Sequence, residues 1–439
     1  MLRLASLLLA AGLAAADSAV VVSRATRADP AWAGVIDALV KAHGSRVVEL
    51  ESAEAELRAD PPARVAWVAR PEELGAEAVR RFHGLARGLD ADPYPDFRWG
   101  LVTGRTADDA RRLVAPAPLV IRAVGASTAF AAACVEEGWW FDEFRAGERW
   151  VKARGGETVR SDGAKDSTAD IALLLSQGRA DLWITSGHAT EHNWEPGFRY
   201  RNGVFVHQDG VVVGKALDGS RHPVRNERPM LYLAVGNCLI GNVPGKPDCM
   251  ALAYLATAGV RGMVGYTVPT WFGYAGWGVL DYFVEQPGRF AANEAWHANL
   301  IALDWRLGEA RVGRAPAAEA RGLDFDRDVT VYLGDPAWEA RMAPGPLRWR
   351  ETVAETAPGE LTWTLEPLAG ARTFAPVNTN GSQRGGRPPV LLLPRHAAGW
   401  EVLPGSAAGA VAGDDFALLP NPGPDAPVPE RVTVRLRRR

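Results

Sequence analysis

From Ser18 to about Val124, short apolar runs alternate with stretches in which apolar residues fall three and four positions apart. Val20, Val21 and Val22 predict a buried strand. Trp32, Val35, Ile36, Leu39 and Val40 share one face of a helix, which Gly44 ends. Further strands are expected at 46–50 and 65–68. Leu101 and Val102 run into Thr103-Gly104-Arg105, and Thr106 is placed to cap the helix that follows. This repeated order predicts a largely parallel sheet covered by helices.

A helical stretch is expected over about 128–145, where alanines crowd around Cys134. The alternation then resumes. Ile171, Leu174 and Leu175 form a helical stripe that stops at Gly178, and 181–185 is the next strand. Arg201-Asn202-Gly203-Val204 and Gln208-Asp209-Gly210-Val211 are turn signals between apolar runs and predict inserted hairpins. Apolar strands are expected at 230–235, 263–268 and 329–333, and helices at 250–260, 279–284 and 294–307. Beyond about Met342 the helical period is lost, Pro and Gly multiply, and short alternating runs such as Thr362-Trp363-Thr364-Leu365 remain. The pattern therefore divides the chain into an N-terminal α/β subdomain (17–124), a second α/β subdomain (125–342) and a small all-β, Ig-like sandwich (343–439) with a polar turn region near 378–387. The basic end 435–439 reads as a solvated strand edge or tail.

Composition narrows the function. Of 439 residues, 47% are hydrophobic and 23% charged, which excludes a disordered or polytopic membrane protein. The 49 Lys and Arg nearly balance the 52 Asp and Glu, so no dedicated nucleic-acid surface is implied. Met1-Leu2-Arg3, the apolar run that follows and Ala14-Ala15-Ala16 have the layout of a secretory signal peptide over 1–16, so a secreted or periplasmic location is expected, with no integral membrane segment in the mature chain. Three cysteines cannot all pair within one chain. Cys134 reads as a small apolar core residue, and pairing of Cys134 with Cys249 is left open.

Two strand ends carry candidate chemistry. One strand runs through Trp183-Ile184-Thr185-Ser186-Gly187 into His188; the other runs through Tyr232-Leu233-Ala234-Val235-Gly236-Asn237 into Cys238. Parallel strands finish on one edge, and ligands bind beyond their carboxyl ends. An imidazole beside a thiol is the minimum equipment of a cysteine nucleophile, because it accepts the thiol proton and favours the thiolate.

The blocks Gly187-His188-Ala189-Thr190-Glu191-His192-Asn193-Trp194 and Gly236-Asn237-Cys238-Leu239-Ile240-Gly241 resemble the His and Cys blocks of gingipain-like cysteine peptidases of the caspase–legumain clan. The likeness extends to the helix ending at Gly178, to 262–271, to Val331-Tyr332-Leu333-Gly334-Asp335-Pro336 and to Asp92-Pro93-Tyr94-Pro95-Asp96, and so spans residues 18 to 340. It implies a caspase-like sheet in two subdomains and hydrolysis of protein or peptide substrates by a Cys238–His188 dyad. The N–H groups of Cys238 and Ala189 would hold the oxyanion. Trp271 matches a position lining the substrate pocket, and Glu191 is placed to orient His188 or meet substrate. The family has Gly where this chain has Ala189, which matters only if that position demands a positive φ. No catalytic metal or organic cofactor is implied, and calcium steadying the loops is left open.

Two other readings have a basis in the residues. A degenerate homologue would use the same crevice only to bind peptides or a partner. His188-Ala189-Thr190-Glu191-His192 spells H-x-x-E-H, a zinc-hydrolase motif that works only on a helix, and Gly187, Pro196 and Gly197 leave a helix little room. The acid at the floor of a specificity pocket is not singled out, with Asp170, Asp218 and Asp248 all eligible.

Overall fold

A computed structural model describes residues 17–314, 317–368, 387–395, 399–421 and 429–439. The expected signal segment and nearly all of the polar turn region at 378–387 lie outside the described residues. Twelve strands form one sheet: β1 (Ser18–Val22), β2 (Arg46–Glu49), β3 (Arg64–Val68), β4 (Arg98–Val102), β5 (Ala123–Ala126), β6 (Glu137–Phe141), β7 (Glu148–Lys152), β8 (Thr158–Asp162), β9 (Leu182–Gly187), β10 (Asn226–Asn237), β11 (Ala258–Tyr266) and β12 (Thr330–Gly334). Their spatial order is β2-β1-β3-β4-β12-β11-β10-β9-β5-β6-β7-β8.

The expected α/β architecture is observed. Helix Pro30–His43 begins at Asp29, whose side chain accepts from the Ala31 N–H, buries Trp32, Val35, Ile36 and Leu39, and ends at Gly44 in the left-handed region. Thr106 caps Ala107–Arg111 in a reciprocal capping box with Asp109. Helices Met250–Thr257, Tyr274–Phe283 and Ala292–Arg311 flank the centre of the sheet. Among the described residues no helix is long and apolar enough to cross a membrane.

Strand direction departs from a uniformly parallel sheet. β1, β2, β3, β4 and β12 run together. β11 is antiparallel to β12, and β10, β9, β5 and β6 then run with β11. The carboxyl ends of β1–β4 therefore open on the edge opposite to those of β9 and β10. Only the later half can contribute strand ends to the edge that bears His188 and Cys238.

The helical stretch expected over 128–145 is not formed. Only a 3-10 turn at Ala132–Cys134 appears, followed by β6. The run Gly138-Trp139-Trp140-Phe141 is poorly suited to a helix, and its aromatic side chains suit the face of a sheet, where β6 lies parallel to β5. The two turn signals are observed as a four-stranded antiparallel insertion: Asn193–Trp194, Val204–Gln208, Val211–Lys215 and Arg221–Val224.

Beyond Met342, two antiparallel sheets share a core built on Trp349, Trp363, Trp400, Val434 and Leu436. The basic end is not an edge: Val432–Arg438 lies between Glu360–Pro367 and Trp400–Val402. Its alternation decides this, because Val432, Val434 and Leu436 turn inward while Arg437 turns out to meet Glu401 at 2.6 Å. This unit docks on the α/β body through buried polar contacts, including His297 with Asp415 (3.0 Å) and the Tyr282 hydroxyl donating to the Pro388 carbonyl (2.7 Å).

Candidate active site at the β9–β10 edge

The register of β9 on β10 sets the geometry. Thr185 lies opposite Ala234, a one-residue irregularity follows, and Ser186 and Gly187 then lie opposite Gly236 and Asn237. His188 and Cys238 are the next residue on each strand, and neighbouring strands lie about 4.8 Å apart. The two sequence-predicted reactive residues thus leave one edge from adjacent strands, with His188 exposed and Cys238 half-buried.

Asn237 ties these ends together. It is fully buried; its amide nitrogen donates to the Gly187 carbonyl (3.1 Å), and its amide oxygen accepts from the Thr185 hydroxyl. Thr185 also meets the buried Tyr232 hydroxyl at 2.9 Å. This network reaches from the strand interior to the last residue before His188. Gly187 has φ 101, and a Cβ there would meet the Glu195 carbonyl at 2.8 Å, so glycine is required.

Beyond Cys238 the chain turns sharply. Leu239 takes φ 57, a conformation that costs a non-glycine residue about 1 kcal/mol or more. The turn is fixed by Leu239 and Gly241 donating to the carbonyls of Val268 and Tyr266 (3.1 and 2.9 Å). The same connection after β11 brings the Thr270 N–H to the Cys238 sulfur at 3.1 Å. The Thr270 carbonyl lies 4.0 Å from the same sulfur.

Ala189 does not take a positive φ, so its Cβ brings no backbone strain. It faces Trp194 in an isolated bridge closed by Glu195 N–H to His188 carbonyl (2.8 Å) and Thr190 N–H to Asn193 carbonyl (3.0 Å). Among the described residues no backbone hydrogen bond uses the Ala189 N–H. Trp271 stands 63% exposed beside Thr270, edge-on to Phe325 at 5.5 Å, and forms a rim on the cysteine side.

His188 is oriented by an aromatic stack. Its ring lies 4.9 Å from that of Phe198 with an interplanar angle of 21°, and no hydrogen bond to the imidazole occurs among the described residues. Phe198 is held in turn by its N–H donating to the Glu143 carbonyl (2.7 Å), and it meets Phe144 edge-on at 5.8 Å. The Glu191 carboxylate has its ionic contact with His192, 4.0 Å away, and none within that distance of His188. Neither Asn237 nor Phe198 was singled out from the sequence. Asn237 was legible only as part of the Cys block, and Phe198 gave no signal.

The other candidates are occupied elsewhere. Asp170 pairs with Arg149 (3.2 Å), Asp248 with Arg105 (3.4 Å), and Asp218 accepts from the Ser220 N–H (2.8 Å). All three cysteines are free. Burial pushes the Cys134 thiol up to about 11 and the Cys249 thiol up to about 12, so both are poor nucleophiles. Residues 188–192 form no helix, so the geometry H-x-x-E-H needs is missing. Carboxylates of Asp90, Asp96 and Asp414 cluster within 4.8 Å of one another, but Arg395 already meets Asp414 at 2.6 Å.

No protein-family model matches the sequence, and no curated protein matches it significantly. A solved structure described as "Structure of Protease" superposes on 80% of this chain and 84% of its own, with a TM-score of 0.46 and 10% identity.

Proposed function

We propose that this chain is an exported cysteine endopeptidase. The observation that carries the reading is the register: Cys238 and His188 follow directly on paired residues of adjacent parallel strands, with a backbone N–H on the sulfur. The Cys238 thiolate adds to a peptide carbonyl, and the oxyanion is held by the N–H groups of Ala189 and Cys238. His188 gives its proton to the departing amine as the C–N bond breaks and leaves a thioester. Water, deprotonated by His188, then adds to the thioester, and collapse of that adduct releases the acid and restores the thiolate. Trp271 walls the substrate cleft, and Glu191 lies on the loop that carries His188. The mature chain acts outside the cytoplasm after loss of residues 1–16, whose composition supports export.

The test is hydrolysis of a fluorescently labelled protein under reducing conditions. Cys238→Ala and His188→Ala should each lose at least ~10³-fold of the rate, iodoacetamide should abolish it, and a zinc-selective chelator should leave it intact. Full activity in Cys238→Ala overturns the reading. A folded chain that turns over no member of a peptide library yet binds some of them is instead the degenerate, peptide-binding homologue.

A further inference from the structure

The second histidine of the His188–His192 segment is not spent on a helix. It sits opposite a histidine that the sequence did not connect to it. Asn193 and Trp194 pair antiparallel with Val206 and Phe205, so the next opposed positions are His192 and His207. Their rings lie 5.3 Å apart at 47°, and His192 Nδ1 is hydrogen-bonded to His207 Nε2 at 3.1 Å, one ring carrying the shared proton that a bound ion would displace. Two nitrogens bound to one ion at about 2.0–2.1 Å lie about 2.9 Å apart in a square-planar site and about 3.3 Å apart in a tetrahedral one. The observed separation falls between these values, and the His192 side chain is 46% exposed, so an ion can reach the pair from solvent.

Charged side chains surround the pair. The Glu191 carboxylate lies 4.0 Å from His192 Nε2, the nitrogen that faces away from His207. The carboxylate thus lies on one side of the His192 ring and His207 on the other. Two cations act on His207: Arg105, which is held by Asp248 (3.4 Å) and the Asp209 carbonyl (3.2 Å), and Lys246, with Asp248 acting against both.

We propose that His192 and His207 form a two-imidazole site for a borderline divalent transition ion, Zn²⁺, Cu²⁺ or Ni²⁺, with water completing its coordination. The ion fastens the loop that begins at His188 to strand Val204–Gln208 and takes no part in hydrolysis. The site does not depend on the peptidase reading, but a thiol and an imidazole at the β9–β10 edge would compete for the same metals. The experiment therefore uses the whole chain with Cys238 blocked by iodoacetamide. Cu²⁺ and Zn²⁺ are titrated calorimetrically, and the Cu²⁺ complex is examined by electron paramagnetic resonance. One equivalent should bind with two nitrogens on copper. His192→Ala and His207→Ala should each weaken it at least ~10-fold and leave one nitrogen, while circular dichroism shows the fold intact. Binding unchanged in both variants, binding lost only in His188→Ala, or no uptake of either metal by the wild-type chain overturns the site.

Discussion

At the carboxyl ends of β1 and β3 the polar side chains bond one another beside a cavity of about 760 Å³ lined by Ser23, Trp67 and Glu73. Those of β9 and β10 instead present a thiol and an imidazole without a hydrogen bond to another side chain among the described residues. On the first edge the Ser23 and Thr26 hydroxyls both donate to Glu73 at 2.7 Å, so donors and acceptor neutralise one another. On the second, the polar bonds belong to the residues just before the reactive ones, Gly187 and Asn237, and the Cys238 sulfur takes a single backbone donor. The histidines differ in the same way. His83, in the first half, is buried and donates to the Thr330 carbonyl at 2.8 Å, while His188 is exposed and merely stacked. One architecture thus gives an edge whose end residues bond one another and an edge whose end residues are only positioned, depending on where the hydrogen bonds fall.

Removing the positioning bonds should break the contrast most severely. Asn237→Ala deletes a buried side chain that joins β9 to β10, leaves the Gly187 carbonyl and Thr185 hydroxyl short of a partner, and should cost ~2–4 kcal/mol of stability. Activity per folded molecule should fall ~100-fold, and the rate of Cys238 alkylation should fall with it. Wild-type alkylation in this variant would mean that the register alone suffices.

The buried histidine offers the next test. Burial pushes His83 down to about 4, so between that value and 6.5 the unfolded chain binds a proton that the folded chain refuses. Stability is complete above about 6.5 and is lost as the pH falls through that window, by about 3 kcal/mol for a 2.5-unit difference. His83→Gln should flatten that part of the profile in denaturant titrations, and His188→Ala should leave it in place. If both variants behave alike, the distinction between the two histidines fails.

The smallest effect concerns the stack. Phe198→Ala frees the His188 ring and should lower kcat ~10-fold with KM little changed, whereas Phe198→Tyr should restore it. A change confined to KM would make Phe198 a substrate contact rather than a positioning residue.

Hydrophobic period is a local property, and what depends on it was legible in the sequence: the α/β order, the inserted hairpins, the loss of helix beyond Met342, and a Cys and a His at the ends of apolar strands. The helix expected over 128–145 failed because alanine content outweighed the Gly138-Trp139-Trp140-Phe141 run that pairs with β5. The basic terminus failed because its inward valines and leucine were discounted beside its arginines. Contacts between distant segments left no such mark. The reversal of strand direction at β11–β12, the Asn237 bond to Gly187, the Phe198 stack and the meeting of His192 with His207 each depend on which strand lies beside which, and at what register. A one-residue slip would turn every side chain of a strand to the other face and undo them. Tertiary pairing, set by the burial of the whole sheet, made those choices.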